Sequence, residues 1–194
     1  MTLGITGGIG CGKSSAAQAF VARGFALIDS DRLIKEEVLT HPKVIEQLRI
    51  RYGGDVLDAS GRVNRAELAR RVFADDTERR WLESLTHPVL FGLWRRALGG
   101  NPGGRWVVEV PLLFEQALEN WFDFTICVAC SPAQQLARLE QRGLSRSLAG
   151  QRISKQLPLA RKIELADMVL WNDGSAAFLK EQVDRLVAAL PALR

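Results

Sequence analysis

Short runs of apolar residues alternate along this chain with segments in which apolar residues recur at helical spacing. The short runs predict five strands, which are Leu3–Thr6, Phe25–Asp29, Arg105–Val110, Asp123–Cys130 and Met168–Trp171. Among the helical segments between them, Pro132–Arg142 has Ser131 as its predicted N-cap, and a terminal helix contains Leu179 and Val183. Strands that alternate with helices predict an α/β fold with a parallel sheet and right-handed crossovers.

The connection between the second and third predicted strands is much longer than a single crossover needs. Helical patterns dominate from Arg32 to Leu98, with breaks predicted at His41-Pro42, in the turn-rich Tyr52–Arg62 and at His87-Pro88. We expect this stretch to form a helical subdomain over the carboxyl edge of the sheet, where open α/β sheets bind their ligands.

A glycine-rich octapeptide follows the first predicted strand at once. Gly7–Ser14 reads GGIGCGKS and fits the pattern G-x-x-x-x-G-K-[ST], and the helix formers of Ser14–Val21 come directly after it. Glycines let such a loop turn its backbone N–H groups inward, and the dipole of the following helix attracts phosphate oxygens. The octapeptide therefore predicts a site for a nucleoside triphosphate.

Three side chains of this loop have separate predicted roles. Lys13 is expected to reach the β- and γ-phosphates. The Ser14 hydroxyl is expected to join the ligands of Mg²⁺, an ion that keeps most of its waters and takes its other ligands from protein and phosphates. Cys11 is interpreted as a small loop residue in preference to a reactive thiol whose pKa is lowered by the helix terminus.

Composition narrows the class of protein without changing the predicted fold. The chain has 194 residues, of which 47% are hydrophobic, as is typical of one globular domain with a full core. No apolar run approaches the roughly 20 residues of a membrane span, and the chain starts with a predicted strand in place of a signal peptide. Three cysteines are too few for a disulfide framework, so we expect a cytoplasmic protein in which Cys127 and Cys130 pack in the core.

The net charge of +4 is concentrated in one segment of the chain. The stretch from Arg138 to Lys162 contains seven basic residues and one acid, Glu140. Because no aromatic residues are interleaved for base stacking, this segment indicates a lid that closes over a triphosphate, and nucleic-acid binding is not expected. A solvated face on an arginine-rich protein is the alternative interpretation.

Other residues separate a kinase from other P-loop proteins. The N-K-x-D guanine reader of GTPases is absent, and Asp58–Gly61, which fits D-x-x-G, is interpreted as a turn. Ala26–Asp29 and Val107–Glu109 are only partial candidates for the acid-ending strand of a large ATPase. A helical acceptor domain and an arginine-rich lid on a compact core indicate a small-molecule kinase instead.

Phosphoryl transfer needs positioning and charge neutralisation, with one carboxylate near the acceptor hydroxyl. Asp31 fits that role because it lies two residues past the predicted end of the second strand, at the edge that faces the P-loop phosphates. Asp29 could share Mg²⁺ through water or shape the turn. Helix N-capping is the alternative role for either carboxylate.

Several co-linear motifs resemble those of the dephospho-CoA kinase family, and together they cover almost the whole chain. They are Thr6–Ser15 (TGGIGCGKSS), Ile28–Asp31 (IDSD), Leu85–Pro88 (LTHP), Val110–Glu115 (VPLLFE) and Ala166–Gly174 (ADMVLWNDG). Two further segments are similar to the family's helical domain and lid exit, namely Gly61–Arg65 with Leu68 and Val72–Phe73, and Gln156–Pro158 with Lys162. The chain departs from the family pattern at Cys11, Ser15 and Trp171, where serine, threonine and a polar residue are usual.

The resemblance implies transfer of the ATP γ-phosphate to the ribose 3′-hydroxyl of dephospho-CoA, with Mg²⁺ as cofactor. The implied catalytic residues are Asp31, as base or orienting group, Lys13 and Arg138. The implied ATP-binding residues are Gly8, Gly10, Cys11, Gly12, Lys13, Ser14 (also on the metal), Ser15, Arg142, Asn172 and Gly174. The implied acceptor-binding residues are Thr6, Asp29, Asp31, Arg65, His87 (for which a hydrogen bond within the helical domain is the favoured alternative), Pro111, Leu112, Leu113 and Glu115.

The predicted architecture is a three-layer P-loop NTPase core with a five-stranded parallel sheet, a helical acceptor-binding subdomain and a small lid. The predicted core comprises residues 1–31, 105–137 and 163–194, the helical subdomain about 32–104 and the lid about 138–162. ATP and dephospho-CoA are the predicted partners of a monomer or weak homo-oligomer. The alternatives are another small-molecule kinase of the nucleoside monophosphate kinase type and a non-catalytic, ATP-dependent binding module.

Overall fold

The computed structural model describes residues 1–72, 75–101 and 103–190. Phe73 of the helical-domain motif and residues 191–194 of the predicted core lie outside this part of the chain. The strands are β1 (Thr2–Gly7), β2 (Ala26–Asp29), β3 (Trp106–Glu109), β4 (Phe124–Ala129) and β5 (Met168–Trp171). The α-helices are α1 (Lys13–Val21), α2 (Ser30–Leu33), α3 (Pro42–Tyr52), α4 (Arg65–Val72), α5 (Asp76–Gly99), α6 (Pro132–Gln141), α7 (Arg146–Ser154), α8 (Leu159–Leu165) and α9 (Ala176–Ala189).

The strands form one parallel sheet in the order β2-β3-β1-β4-β5. Ile5 of the central strand β1 is aligned with Glu109 of β3 on one side and with Ile126 of β4 on the other. Because both faces of a central parallel strand are covered, Leu3–Gly7 forms an unbroken buried run. The predicted α/β class and five-stranded parallel sheet are confirmed, and the strand ends differ from the prediction by one residue at most.

A buried apolar cluster joins the sheet to α1 and α9. It comprises Leu3, Ile5, Ala16, Ala17, Phe20, Phe25, Val107, Ile126, Val128, Leu170, Leu179, Val183 and Leu190. Within it, the rings of Phe20 and Phe25 meet edge to face with their centroids 5.3 Å apart. Burial of this face of α1 against the sheet fixes the helix start, and hence the far end of the P-loop.

The described chain forms two compact units. The first comprises Met1–Asp29 and the described residues from Gly103 on, and the second comprises the described residues of Ser30–Pro102. The division falls directly after β2, so that the 138–162 segment belongs to the first unit and α2 to the second. Across the described residues, we find no helix with both the length and the apolar character that crossing a membrane requires.

Two of the predicted helix breaks in the second unit are confirmed. α3 begins at Pro42 and ends at Tyr52, where the turn-rich segment starts. Within that segment the Asp58 carboxylate accepts hydrogen bonds from the backbone N–H groups of Ser60 and Arg62, at 2.8 and 3.0 Å. The D-x-x-G match is therefore a turn, as predicted.

The predicted break at His87-Pro88 is wrong, because α5 runs through Pro88 without interruption. Proline lacks a backbone N–H and normally kinks a helix or ends it. Here the Thr86 hydroxyl donates to the Leu82 carbonyl at 2.7 Å, one turn back, and Trp94 is fully buried further along the helix. Burial of the long helix outweighs the local cost of the proline, which a sequence pattern does not reveal.

An ionic and aromatic cluster joins α3 to α5. The Glu78 carboxylate accepts two hydrogen bonds of 2.7 Å from the Arg51 guanidinium and one from the Tyr52 hydroxyl. The guanidinium also lies 4.4 Å from the centroid of the Trp81 ring. Burial, together with the nearby Glu78 carboxylate, raises the pKa of Tyr52 to about 12. The bonds from Arg51 and Tyr52 lower the pKa of Glu78 to about 2.

Tyr52 is the single tyrosine of the chain, so tyrosinate absorbance reports on it alone. We expect its titration midpoint near a pKa of about 12 in the folded protein. We expect Glu78→Gln to lower the midpoint in part, because the carboxylate charge that disfavours tyrosinate is removed while burial remains. An alkaline titration at the tyrosinate absorption band, with circular dichroism to confirm the fold, measures both values.

The sign of the linked stability follows from the raised pKa. The neutral hydroxyl stabilises the fold fully below its unfolded pKa of about 10, and this contribution is lost as the pH rises toward the folded value. Glu83→Gln removes a charge from the same helix without touching Tyr52 and serves as the control. Equal midpoints in the wild type and Glu78→Gln would contradict the assignment.

Candidate active site

The loop between β1 and α1 closes on itself before the helix begins. The Cys11 N–H donates to the Gly8 carbonyl at 3.1 Å. Gly12 is the N-cap residue of α1 and has φ 95° and ψ 30°, a left-handed conformation that favours glycine. The turn therefore delivers the chain into α1 in the geometry at which a helix N-terminus binds phosphate.

Gly12 also has no room for a side chain. A Cβ there would lie 2.1 Å from Asn172 Nδ2, and this amide donates to the Cys11 carbonyl at 2.8 Å. Arg138 in turn donates from Nη2 to the Asn172 carbonyl at 2.7 Å and from Nη1 to the Cys11 carbonyl at 3.5 Å. Asn172 is buried directly after β5, so the end of that strand and α6 together fix the loop just before Lys13.

The middle of the loop is held through the backbone of Ile9. Its N–H donates to Gln156 Oε1 at 2.9 Å, and its carbonyl accepts a hydrogen bond from Gln135 Nε2 at 2.7 Å. Gln135 is buried in α6, and Gln156 lies between α7 and α8. Neither glutamine was predicted as a site residue. Only the lid-exit motif singled out Gln156, because no local pattern shows which polar side chain will meet a distant loop.

The two side chains predicted to handle the phosphates lie at the start of α1. Lys13 Nζ donates to the carbonyls of Gly7 and Gly8 at 3.3 and 3.2 Å, so its ammonium group lies against the loop. The Ser14 hydroxyl donates to Glu109 Oε1 at 3.1 Å. The structure thus brings an ammonium group, a hydroxyl and a carboxylate together at one end of α1.

Glu109 is a functional candidate that the predicted site residues left out. It ends β3, is only 8% exposed, and is aligned with Asp29 at the end of β2. The sequence does indicate a functional acid here, because the apolar run before Glu109 ends in that residue. From the sequence alone, this pattern is interpreted only as a feature of large ATPases. The hydrogen bond from Ser14 shows that Glu109 contacts the P-loop in this compact core as well.

The donor set at this point fits Mg²⁺. Ser14 and Glu109 offer hard oxygen ligands, and Asp29, aligned with Glu109 on the neighbouring strand, offers a carboxylate that can act through water. Within the described residues there is no cluster of three or more His, Cys, Asp or Glu side chains placed to hold a metal by themselves. This suits an ion that takes one or two protein ligands and completes its shell with water and phosphate oxygens.

A cavity of about 260 Å³ lies beside the loop. It is lined by Gly12, Ser15, Ala19, Arg138, Arg142, Asn172, Gly174, Ala176, Leu179 and Lys180. Six of these were predicted to bind ATP or act in catalysis, and they come from the P-loop, the lid side and the segment after β5. Ala19, Ala176, Leu179 and Lys180 were not predicted, because nothing in the two helices that contain them indicates that they face the loop. The three basic side chains give the cavity a positive charge that suits phosphate.

The segment after β3 is tied to the rest of the first unit by a fully buried lysine. Lys162 in α8 is 0% exposed, and its Nζ lies 2.8 Å from both the Pro111 carbonyl and Glu115 Oε1. The Thr6 hydroxyl donates to the same carbonyl at 3.2 Å, and the Leu157 N–H donates to Glu115 Oε1 at 3.0 Å. Three predicted acceptor residues, Thr6, Pro111 and Glu115, are therefore brought together around one cation.

The two predicted leucines of this segment differ in their surroundings. Leu113 is fully buried, and its side chain lies so close to β1 that a Cβ on Gly4 would come within 2.8 Å of it. Leu112 is half-buried. Leu113 therefore anchors the segment, and Leu112 keeps surface that a ligand could contact.

The remaining predicted residues belong to the second unit. Asp31 is exposed in α2, and Arg65 is exposed at the first position of α4. His87 is half-buried in α5, with its ring 5.2 Å from that of Phe91. Burial lowers the pKa of His87, although the negative charge of Glu83 acts in the opposite direction. The lowered pKa favours a neutral imidazole at neutral pH.

Three free thiols lie in the first unit. Cys127 and Cys130 are buried, as predicted, and burial raises the pKa of Cys127 to about 12. The Cys130 thiol donates to Cys11 Sγ at 3.3 Å. This hydrogen bond lowers the pKa of Cys11 to about 7. The charge of Lys13 acts in the same direction, and burial acts in the opposite one. The same hydrogen bond raises the pKa of Cys130. Cys11 itself is fully buried, and its interpretation as a small loop residue stays a prediction.

Comparison with known proteins gives consistent matches along nearly the whole chain. A family model described as dephospho-CoA kinase matches residues 1–177. A dephospho-CoA kinase from Thermosynechococcus vestitus is 41% identical over 193 residues, which cover 98% of this chain and 95% of that protein. The dephospho-CoA kinase from Gloeobacter violaceus is 38% identical over 184 residues, which cover 94% and 89%.

Solved structures share the fold. A crystal structure of a Thermus thermophilus protein superposes with a TM-score of 0.86 at 32% identity, covering 98% of this chain and 97% of that one. A dephospho-CoA kinase from Campylobacter jejuni has a TM-score of 0.71 at 24% identity, covering 97% and 96%. A shikimate kinase from Bacteroides thetaiotaomicron has a TM-score of 0.55 at 17% identity, covering 98% of each chain, so the fold is shared with other small-molecule kinases. With a P-loop of this geometry, the family match over residues 1–177 shows that the chain belongs to the dephospho-CoA kinase family.

Proposed function

We propose that this chain transfers the γ-phosphate of ATP to the ribose 3′-hydroxyl of dephospho-CoA, giving ADP and coenzyme A. The observation that supports this best is the Ser14–Glu109 hydrogen bond behind a P-loop, in a chain that matches the dephospho-CoA kinase family over residues 1–177. Phosphoryl transfer depends on positioning and charge neutralisation, and the first unit is rich in groups that do both.

On the donor side, backbone N–H groups of Gly8–Ser15 other than those of Ile9 and Cys11 bind the phosphates, and the Lys13 ammonium group neutralises their charge. Ser14 and Glu109 would hold Mg²⁺, with Asp29 acting through water. The ion would supply charge neutralisation at the transferred phosphoryl group and its leaving oxygen. The nucleoside of ATP takes the cavity beside Asn172.

The 138–162 segment acts as the lid. Arg138 and Arg142 lie one helical turn apart and line the cavity, so they are the residues that we assign to the phosphates. Arg138 already donates to the Cys11 carbonyl in the loop and to the Asn172 carbonyl after β5, which orients its planar guanidinium. Gly174, in the same lining, lets the nucleotide approach the backbone closely.

On the acceptor side, Asp31 accepts the proton of the 3′-hydroxyl or orients that hydroxyl toward the γ-phosphate. The helical subdomain, through Arg65 and His87, contacts the acceptor. The segment from Pro111 to Glu115 lines the pocket of the acceptor in the first unit, with the fully buried Thr6 and Leu113 supporting it from behind. Lys162 fixes this segment in place through the Pro111 carbonyl and the Glu115 carboxylate.

The compartment and assembly state belong to the same proposal. The three cysteines are all free, as suits a reducing cytoplasm. We assign a monomer or weak homo-oligomer, because ATP and dephospho-CoA account for every site residue named above.

The proposed acceptor is tested with a coupled assay of ADP release from ATP and Mg²⁺. We expect dephospho-CoA to stimulate release and AMP, UMP and gluconate to leave it at the basal level. Kinases for these four acceptors share the ATP site and differ in the acceptor pocket, so the acceptor that stimulates release identifies the pocket. Stimulation by AMP, UMP or gluconate in place of dephospho-CoA would assign a different small-molecule kinase. ATP binding without stimulation by any acceptor would assign a passive binding module.

Within that assay, Asp31→Asn separates catalysis from binding. We expect kcat to fall by a factor of about 10² to 10⁴ while ATP affinity changes little, since the proton acceptor is lost and the P-loop is retained. Asp76→Asn, an exposed acid in α5 of the same unit, is the matched control and is expected to behave as wild type. Wild-type turnover in Asp31→Asn would remove this residue from the mechanism.

Glu109→Gln tests the metal site. Glutamine keeps the size of the side chain and can still accept from Ser14, but it lacks the negative charge that attracts the cation. We expect the Mg²⁺ concentration for half-maximal activity to rise by about tenfold or more, as measured by titrating Mg²⁺ at saturating ATP and acceptor. Glu140→Gln, on an exposed residue of α6, is the control. An unchanged Mg²⁺ dependence would limit Glu109 to holding the Ser14 hydroxyl.

Lys162→Met tests the support of the acceptor segment. The change removes the cation that joins the Pro111 carbonyl to Glu115, so the segment is free to shift. We expect the KM for dephospho-CoA to rise by about tenfold or more while ATP affinity changes much less. Glu115→Gln, which keeps an oxygen for Lys162 and the Leu157 N–H, should give a smaller rise, and exposed Lys43→Met in α3 none. Equal losses of ATP and acceptor binding would indicate general damage to the fold.

A further inference from the structure

A pair of thiols joins the phosphate-binding loop to the sheet. Cys11 lies in the loop and Cys130 directly follows β4. The two residues are 0% and 2% exposed, their sulfurs are 3.3 Å apart, and both are in the thiol form. The sequence gives no sign of this contact, because 119 positions separate the two residues.

We propose that Cys11 and Cys130 form a site of oxidative modification, at which a hydroperoxide joins them in an intramolecular disulfide and thereby weakens ATP binding. The proposal rests on the proposed function only in taking ATP as the ligand of the loop. It adds a covalent modification to residues that the kinase reaction itself does not consume.

Cys11 is the attacking thiol. Its sulfur accepts the hydrogen bond from Cys130 and lies near the Lys13 ammonium group, and these interactions favour the thiolate near neutral pH. Because Cys11 is 0% exposed, the step requires the loop to open far enough to admit the peroxide. The thiolate then attacks one peroxide oxygen, the O–O bond breaks, and the leaving oxygen takes a proton, which leaves a sulfenic acid on Cys11. The Cys130 sulfur then attacks the sulfenic sulfur, and the second oxygen leaves as water. Two thiols together lose two electrons and two protons, and one peroxide is reduced.

Cys127 is not an equal partner in this chemistry. The sulfur–sulfur contact of 3.3 Å joins Cys11 to Cys130. Cys127 therefore provides a matched thiol control in the same strand region.

A disulfide at this point acts on the shape of the loop. The bond requires a sulfur–sulfur distance of about 2.0 Å, so the gap of 3.3 Å must close and Cys11 must move toward the end of β4. Its carbonyl is held by Asn172 at 2.8 Å, its N–H is bonded to Gly8, and Gly12 beside it has no free space. Movement of Cys11 therefore breaks contacts that shape the loop and turns its N–H groups away from the phosphates.

The test uses the full chain, fully reduced and then treated with hydrogen peroxide. Intact mass and peptide mapping detect a loss of about 2 Da and identify the linked cysteines. Isothermal titration calorimetry with ATP and Mg²⁺, without acceptor, measures the Kd before oxidation, after it and after reduction with dithiothreitol. The same steps are applied to Cys130→Ser and Cys127→Ser, with circular dichroism to confirm folding; Cys130→Ala replaces Cys130→Ser if serine is not tolerated there.

We expect a Cys11–Cys130 link in the wild type and in Cys127→Ser, with a Kd for ATP at least about tenfold higher that returns on reduction. Cys130→Ser and Cys130→Ala should bind ATP as reduced wild type does and keep that Kd after the same treatment. The proposal is overturned if no such link forms, if the link forms with an unchanged Kd, or if the Cys130 variants lose ATP binding to the same extent. Failure of the reduced wild type to bind ATP would overturn the proposed function as well, whereas an unchanged Kd after linkage leaves that function standing.

Discussion

The P-loop depends on one constraint: backbone groups that do not face the phosphates must find partners elsewhere in the chain. Gln156 and Gln135 take the N–H and carbonyl of Ile9, and Asn172 takes the carbonyl of Cys11. A backbone polar group without a partner costs about as much free energy as a lost hydrogen bond, so these contacts favour one loop conformation. The N–H groups that remain are then preorganised for an anion before it arrives. The donor site is therefore built as much by α6 and the ends of β5 and α7 as by the glycine-rich motif.

The same constraint explains which parts of the fold and site could be predicted from the sequence. The strand-loop-helix order around Gly7–Ser14 and the Ser131 cap depend on neighbouring residues, and both are observed. Pro88 is the reverse case, because the local signal for a break is overruled by burial of α5. Gln135 supports the loop from a distant helix, and one polar residue among several in an amphipathic helix gives no sign of such a partner. Glu109 lies between these cases, since the acid after an apolar strand is visible and its hydrogen bond to Ser14 is not.

Lys162 shows how the fold connects the donor loop to the segment after β3. A fully buried ammonium group is costly to desolvate, and even a well-paired one is weak evidence for stability. Its effect is better understood through what it positions. Lys162 holds the Pro111 carbonyl beside the Thr6 hydroxyl, and Thr6 is the residue before the P-loop. The acceptor segment follows β3 and the donor loop follows β1, and the Thr6–Pro111 hydrogen bond joins the two at the end of β1, so a shift in one affects the other.

The described basic residues of the 138–162 segment include two groups, those that form contacts within the protein and those that line the cavity. Arg161 pairs with Glu164 and Lys162 with Glu115, so these two cations serve contacts within the protein. Among the described residues of the segment, Arg138 and Arg142 are the ones that line the cavity beside Gly12. Arg138 belongs to both groups, because it donates to the carbonyls of Cys11 and Asn172 and also lines the cavity. The cations of this segment that line the cavity therefore lie in one turn of α6 and the residue that follows, and the count of charges is larger than this set.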